Sequence, residues 1–109
     1  MKMKLFVALC LISITLYADI ENGKSVYAQN CANCHSISMK GGLGRDFNLV
    51  SYNRKKEDVI RYILQPSRMY EEFGYSANGM PQIVLNETDV NDVAEYIDSL
   101  QPFKVWMKK

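Results

Sequence analysis

Apolar residues recur at helical spacing in three stretches of the chain. From about Asp19 to Cys31, the residues Ile20, Gly23, Tyr27 and Cys31 fall on one face, which predicts a first helix. From Lys55 to Leu64, the positions Val59, Ile60, Ile63 and Leu64 give a second buried side. Pro66 closes that helix, because the residue before a proline disfavours helical backbone. The third helix is the best marked. Asn86 caps it, Asp89 completes a variant of the capping box, and Leu85 and Val90 form a hydrophobic staple. Val90, Val93, Ala94, Ile97 and Leu100 follow at three- and four-residue steps until Pro102. Between the helices lie a loop from His35 to about Val50, containing Gly41-Gly42-Leu43-Gly44, and another from Ser67 to Leu85, containing Gly74, Gly79 and Pro81. No strand pattern competes. The fold class is all-α, with short helices joined by long loops.

The first residues have a different character. Lys2 and Lys4 precede the apolar run from Leu5 to Leu16, which ends at Tyr17-Ala18 before polar sequence starts at Asp19. A basic start, a short apolar run and a small residue before a charged one describe a secretory signal peptide over residues 1–18. An uncleaved N-terminal anchor is the alternative, although the run falls short of the ~20 residues that span a bilayer. Cys10 as a lipidated residue is set aside, since Leu9 before it is too bulky. The expected arrangement is export to the periplasm and one domain over residues 19–109 with no membrane span after cleavage. Losing Lys2 and Lys4 takes the net charge from +1 to −1, which leaves no footprint for nucleic acid.

Such a chain has a stability problem. Three short helices and two long loops bury little area, and small domains are marginal without a staple or cofactor. Loops of this length wrap something or carry a function. The cysteines say what. After Cys10 leaves with the signal, Cys31 and Cys34 remain, and a disulfide between them would close a tiny loop and stabilise little.

Cys31-Ala32-Asn33-Cys34-His35 has the C-x-x-C-H spacing of c-type haem attachment. Two intervening residues let both thiols reach the two vinyl groups of one porphyrin from a single helical turn. His35, the single histidine of the chain, then sits where the proximal iron ligand is needed. A thioredoxin-type dithiol wants a βαβ context, and none precedes these cysteines. A zinc site wants about four ligands, and two Cys with one His fall short.

With no second histidine, methionine is the natural sixth ligand, and four follow residue 18: Met39, Met69, Met80 and Met107. Met39 is too near His35 to reach the opposite haem face, and Met107 lies beyond the last helix. Met80 has Gly79 before it, which permits close backbone approach, and Pro81 after it, which stiffens the loop. Met80 is favoured over Met69, whose reading as core filler is the simpler one.

Cys31-x-x-Cys34-His35, then Asn78-Gly79-Met80-Pro81, then the helix start Leu85-Asn86-Glu87-Thr88-Asp89-Val90 together resemble the class I cytochromes c, small monohaem bacterial electron carriers. The likeness covers about residues 20–100. It implies the cytochrome c fold, three to four short helices around one covalent haem c, with first and last helices crossing at Gly23, Tyr27 and Tyr96. It also implies that a backbone carbonyl after the haem-binding loop accepts a hydrogen bond from the proximal histidine. The family usually has Gly-Pro there; this chain has Gly44-Arg45, which keeps the carbonyl, loses the proline's stiffness and adds a charge. Leu43, Phe47, Leu49, Ile63 and Leu64 are expected to pack the haem, and Tyr52, Arg54 and Tyr75 to reach its propionates.

The expected function is one-electron transfer between redox partner proteins, a donor dehydrogenase and an acceptor oxidase or reductase, as a monomer. The alternative is a dedicated haem subunit in a heteromer, such as a molybdenum sulfite dehydrogenase, with the aromatic tail after Pro102 as the contact. An open-site sensor or peroxidase is the third class, disfavoured because no distal acid–base residue is identifiable.

Overall fold

A computed structural model describes residues 20–107. The expected signal segment, residues 1–18, lies outside them. Five α-helices and one 3₁₀ turn make up the described chain, and no strand occurs among these residues. The first helix, α1, is helical over 20–30. It is followed by α2 (Phe47–Asn53), α3 (Lys56–Leu64), α4 (Pro66–Glu72), α5 (Glu87–Ser99) and the 3₁₀ turn Val105–Met107. No helix among the described residues is long and apolar enough to cross a membrane.

The last helix forms as its sequence predicts. The Asn86 side chain accepts from the backbone N–H of Asp89 (2.8 Å), satisfying one of the orphan donors of the first turn. The Asp89 carboxylate, expected to complete the box, instead accepts from the Asn22 amide on α1 (2.9 Å). The same amide donates to Asp92 (2.7 Å), so one asparagine stitches two turns of α5 to α1. Val93, Ala94 and Ile97 on the inner face of α5 are shut away from solvent. Around them Val26, Tyr27, Phe47, Val59, Ile63 and Tyr96 complete the core.

Gly23 sets how closely α1 and α5 cross. A Cβ there would run into the carbonyl of Asp92 and lie 2.8 Å from Cβ of Tyr96. The crossing at Gly23, Tyr27 and Tyr96 is therefore as expected, with the two tyrosine rings 5.8 Å apart.

Both expected loops contain a further helix. Asp46 begins α2 by accepting from the backbone N–H of Asn48 (2.7 Å), a capping signal hidden inside a glycine-rich stretch. Pro66 does end α3, but it also occupies the first turn of α4, where its missing N–H costs nothing. The α2 and α3 helices both pack on α5. Below them the chain end is pinned by a buried lysine: Lys104 donates to Ser51 (2.7 Å) and to the Asp98 carbonyl (2.5 Å).

Candidate functional site

The C-x-x-C-H segment continues from α1 as a tight turn. Backbone N–H groups of Cys34 and His35 both donate to the carbonyl of Cys31 (3.1 and 2.9 Å), which keeps both cysteines within one turn. No disulfide joins the two; Cys31 is buried and Cys34 half-buried. Burial pushes the Cys31 thiol up to about 11. A redox dithiol needs the opposite shift, toward the thiolate, so the thioredoxin-type reading loses further ground.

The His35 ring is held on three sides. Its Nδ1 donates to the Arg45 carbonyl (2.7 Å), which fixes the tautomer and leaves Nε2 with its lone pair. Phe47 stacks on the imidazole, centroids 4.4 Å apart and planes 20° apart. Gly44 passes the ring edge so closely that a Cβ would fall 2.6 Å from Nδ1 and 2.8 Å from Nε2. The backbone is held too, because the Tyr27 hydroxyl donates to the His35 carbonyl (2.7 Å).

Asp46 closes the loop around this histidine. Its buried carboxylate accepts four hydrogen bonds, from the Ser36 hydroxyl (2.5 Å), Met39 N–H (2.6 Å), Asn48 N–H (2.7 Å) and the Asn48 amide (3.0 Å). Burial alone would raise its pKa, but these donors outweigh it and hold the carboxyl below its ordinary value. Met39 has φ +67°, left-handed for a side-chain-bearing residue, and the bond from its N–H to Asp46 helps hold it there. The sequence reading passed over Asp46; the one local signal for it is an aspartate at a helix-capping position directly before Phe47.

The methionines separate. Met69 is buried in α4 and its sulfur faces the Arg61 guanidinium (3.6 Å). Met107 is in the terminal 3₁₀ turn. Met80 is half-buried on the irregular segment before α5. Two residues on, the Gln82 amide donates to the Leu64 carbonyl (3.1 Å), tying this segment to the end of α3.

The residues expected to pack the haem divide in two. Phe47 and Ile63 belong to the protein's own core, whereas Leu43, Leu49 and Leu64 keep apolar surface exposed. Leu43 in the first loop and Val84 in the second are 92% and 91% exposed, bulky apolar side chains that the polypeptide leaves uncovered. The polar expectations divide as well. Arg54 and Tyr75 line one cavity of about 410 Å³ together with Arg45 and Asn53. Tyr52 faces a different groove, beside Phe103, Lys104 and Met107, so it does not join them. Among the described residues no cluster of His, Cys, Asp and Glu of the kind that holds a metal by itself occurs.

A paired thiol turn, an imidazole with one nitrogen engaged and the other bare, and uncovered apolar side chains on both flanking loops suit a flat apolar macrocycle with a central metal. An all-α fold carrying such a site defines a small class I c-type cytochrome. Comparison with known proteins agrees. The cytochrome c family model matches residues 20–101, and the chain belongs to the cytochrome c family. It is 31% identical to cytochrome c6 of Thermostichus vulcanus over 86% of this chain and 89% of that protein. A cytochrome c-553-like protein of Synechocystis sp. is 25% identical over 80% of this chain and 74% of its own length. The cbb3-type cytochrome c oxidase subunit CcoP of Helicobacter pylori is 30% identical over 72% of this chain, which spans 26% of that subunit. No solved structure matches the chain. The protein is an electron-transfer haem protein with covalently bound haem c and its iron.

Proposed function

We propose that the protein is a periplasmic one-electron carrier, with haem c joined to Cys31 and Cys34 and its iron held by His35 and Met80. Haem c supplies, when bound, an iron that gains and loses one electron. The rest is the work of this chain's residues. The observation that carries the reading is the bond from His35 Nδ1 to the Arg45 carbonyl, which leaves Nε2 bare and the ring fixed. Phe47 and Gly44 leave that ring little freedom to turn. The buried Met69, whose sulfur is engaged by Arg61, supports Met80 as the second ligand. Residues 1–18 act as the export signal in this reading.

Electrons pass at an exposed edge of the site, where donor dehydrogenase and acceptor oxidase or reductase dock in turn through small contacts. The test is exchange with such partners: the purified protein, reduced chemically, should be reoxidised by membranes of its source cell and reduced again by a respiratory donor. Failure of both half-reactions in a protein that carries haem would remove the carrier reading.

A second reading has two observations in its favour. The similarity to the oxidase subunit CcoP supports a haem domain that serves inside a larger oxidoreductase. Phe103, 77% exposed after α5, offers an aromatic contact for such an assembly. Co-purification in a stable complex would favour it; a free monomer in the periplasm would favour the carrier.

A further inference from the structure

We propose that Arg45 is a positioning residue for both ends of the iron site, its carbonyl fixing His35 and its guanidinium clasping the segment that leads to Met80. The inference rests on the ligand assignment proposed above. Its backbone half is the 2.7 Å bond from His35 Nδ1. Its side-chain half is the guanidinium carbon 5.2 Å from the centroid of the Tyr75 ring, within the reach of a cation–π contact.

Tyr75 is well placed to be held. Gly74, with φ +84°, turns the chain out of α4, and the N–H of Tyr75 donates back to the Tyr70 carbonyl (2.9 Å). Tyr62 of α3 meets the Tyr75 ring edge-on at 5.7 Å and the Phe73 ring at 5.2 Å. A second arginine works beside the first: Arg54 lies 4.3 Å from the Phe73 centroid and donates to the Phe73 carbonyl (2.9 Å). Phe73 and Tyr75 are therefore gripped by two arginines from the histidine side of the fold and by Tyr62 from α3.

Beyond Tyr75 the grip ends. Residues 76–79 are exposed, and a Cβ at Gly79 would meet nothing. The half-buried Met80 is thus fixed from its two flanks, Tyr75 upstream and Gln82 downstream. Releasing the upstream flank gives Met80 more room to leave the iron while leaving His35 in place. Arg45 in this way does by contact what proline at the same place does by stiffness, and it extends the effect to the other ligand.

The test uses the oxidised holo-protein and two readouts: the far-red charge-transfer band of the methionine–iron bond on heating, and the affinity for added imidazole. Arg45→Ala keeps the carbonyl and removes the clasp. Tyr75→Leu removes the ring and keeps the charge, so an effect common to both belongs to the contact. In both, imidazole should bind about threefold to tenfold more tightly, as expected for loss of one partly exposed cation–π contact. The band should also fade well below the temperature at which helicity melts. Tyr75→Phe, which keeps the ring, should behave as the native protein. Native-like imidazole affinity in both Arg45→Ala and Tyr75→Leu, with Met80→Ala losing the band, would overturn the clasp alone. A band that persists in Met80→Ala would overturn the ligand assignment, and the clasp with it.

Discussion

Replacing Asp46 by asparagine should destabilise the protein by about 2–3 kcal/mol near neutral pH, because asparagine cannot satisfy the donors that converge on the carboxylate. Oδ1 accepts from Asn48 twice, and Oδ2 accepts from the Ser36 hydroxyl and the Met39 N–H. In the variant one oxygen becomes an NH₂ group. With the amide on the Oδ2 side, Ser36 can rotate and accept from it, but the Met39 N–H faces another donor. With the amide flipped, the helix cap at Asn48 is lost instead. Either way one charge-assisted bond, at roughly 1.5–3 kcal/mol, goes and a part-buried donor is left unpaired. For a domain of this size the melting temperature should fall by roughly 10–20 °C.

The pH dependence has a definite sign. The folded carboxyl of Asp46 sits below its ordinary value, so its stabilisation is present above the unfolded carboxylate pKa of about 3.9 and is lost as pH falls through the folded value. Urea unfolding of native and Asp46→Asn holo-proteins from about pH 7 down to about pH 3 should show the gap between them narrowing below about pH 4. A gap under ~0.5 kcal/mol at neutral pH would refute the reasoning, and so would one that stays constant on acidification.

Other consequences follow from the same contacts. Gly44→Ala places a Cβ 2.6 Å from His35 Nδ1; the forced shift should cost about 1–3 kcal/mol and weaken histidine–iron binding, seen as a shifted midpoint potential and a changed reduced spectrum. Gly23→Ala drives a methyl group against the α5 backbone, so the yield of folded holo-protein should collapse, while Ala28→Gly on the exposed side of α1 should cost only ~1 kcal/mol in urea unfolding. Lys104→Ala removes the donor that joins Ser51 to the end of α5 and should cost about 2–3 kcal/mol, with limited proteolysis clipping the C-terminal residues faster.

Local signals made part of this fold readable in advance. Asn86, the staple and the spacing of Val90 to Ile97 fixed α5 without help from tertiary structure. The C-x-x-C-H turn was legible for the same reason, since its geometry spans only residues 31–35, whereas the role of the Arg45 carbonyl was expected only from the likeness to the class I cytochromes c. Pro66 misled because proline both stops one helix and starts another, and only the path of the chain decides between the two. Asp46 was passed over because its donors, apart from Asn48, lie back across a glycine-rich loop whose closure no propensity encodes. Lys104 is the clearest case of long-range determination. A lone lysine in the aromatic tail after Pro102 reads as solvated, yet Ser51, far away in sequence, makes it a buried donor. Tyr52 was expected to reach the propionates with Arg54 and Tyr75, and the turn of α2 sends it to another face.

The central claim is that Cys31 and Cys34 carry the haem and His35 binds its iron. The most direct test is the mass of the denatured, purified protein together with its dithionite-reduced spectrum in alkaline pyridine, for the native chain and for Cys31→Ala and Cys34→Ala. The account predicts one haem retained through denaturation with a two-thioether spectrum in the native chain, and a single-thioether spectrum or none in each variant. Haem that leaves on denaturation, with both cysteines titrating as free thiols, would contradict it.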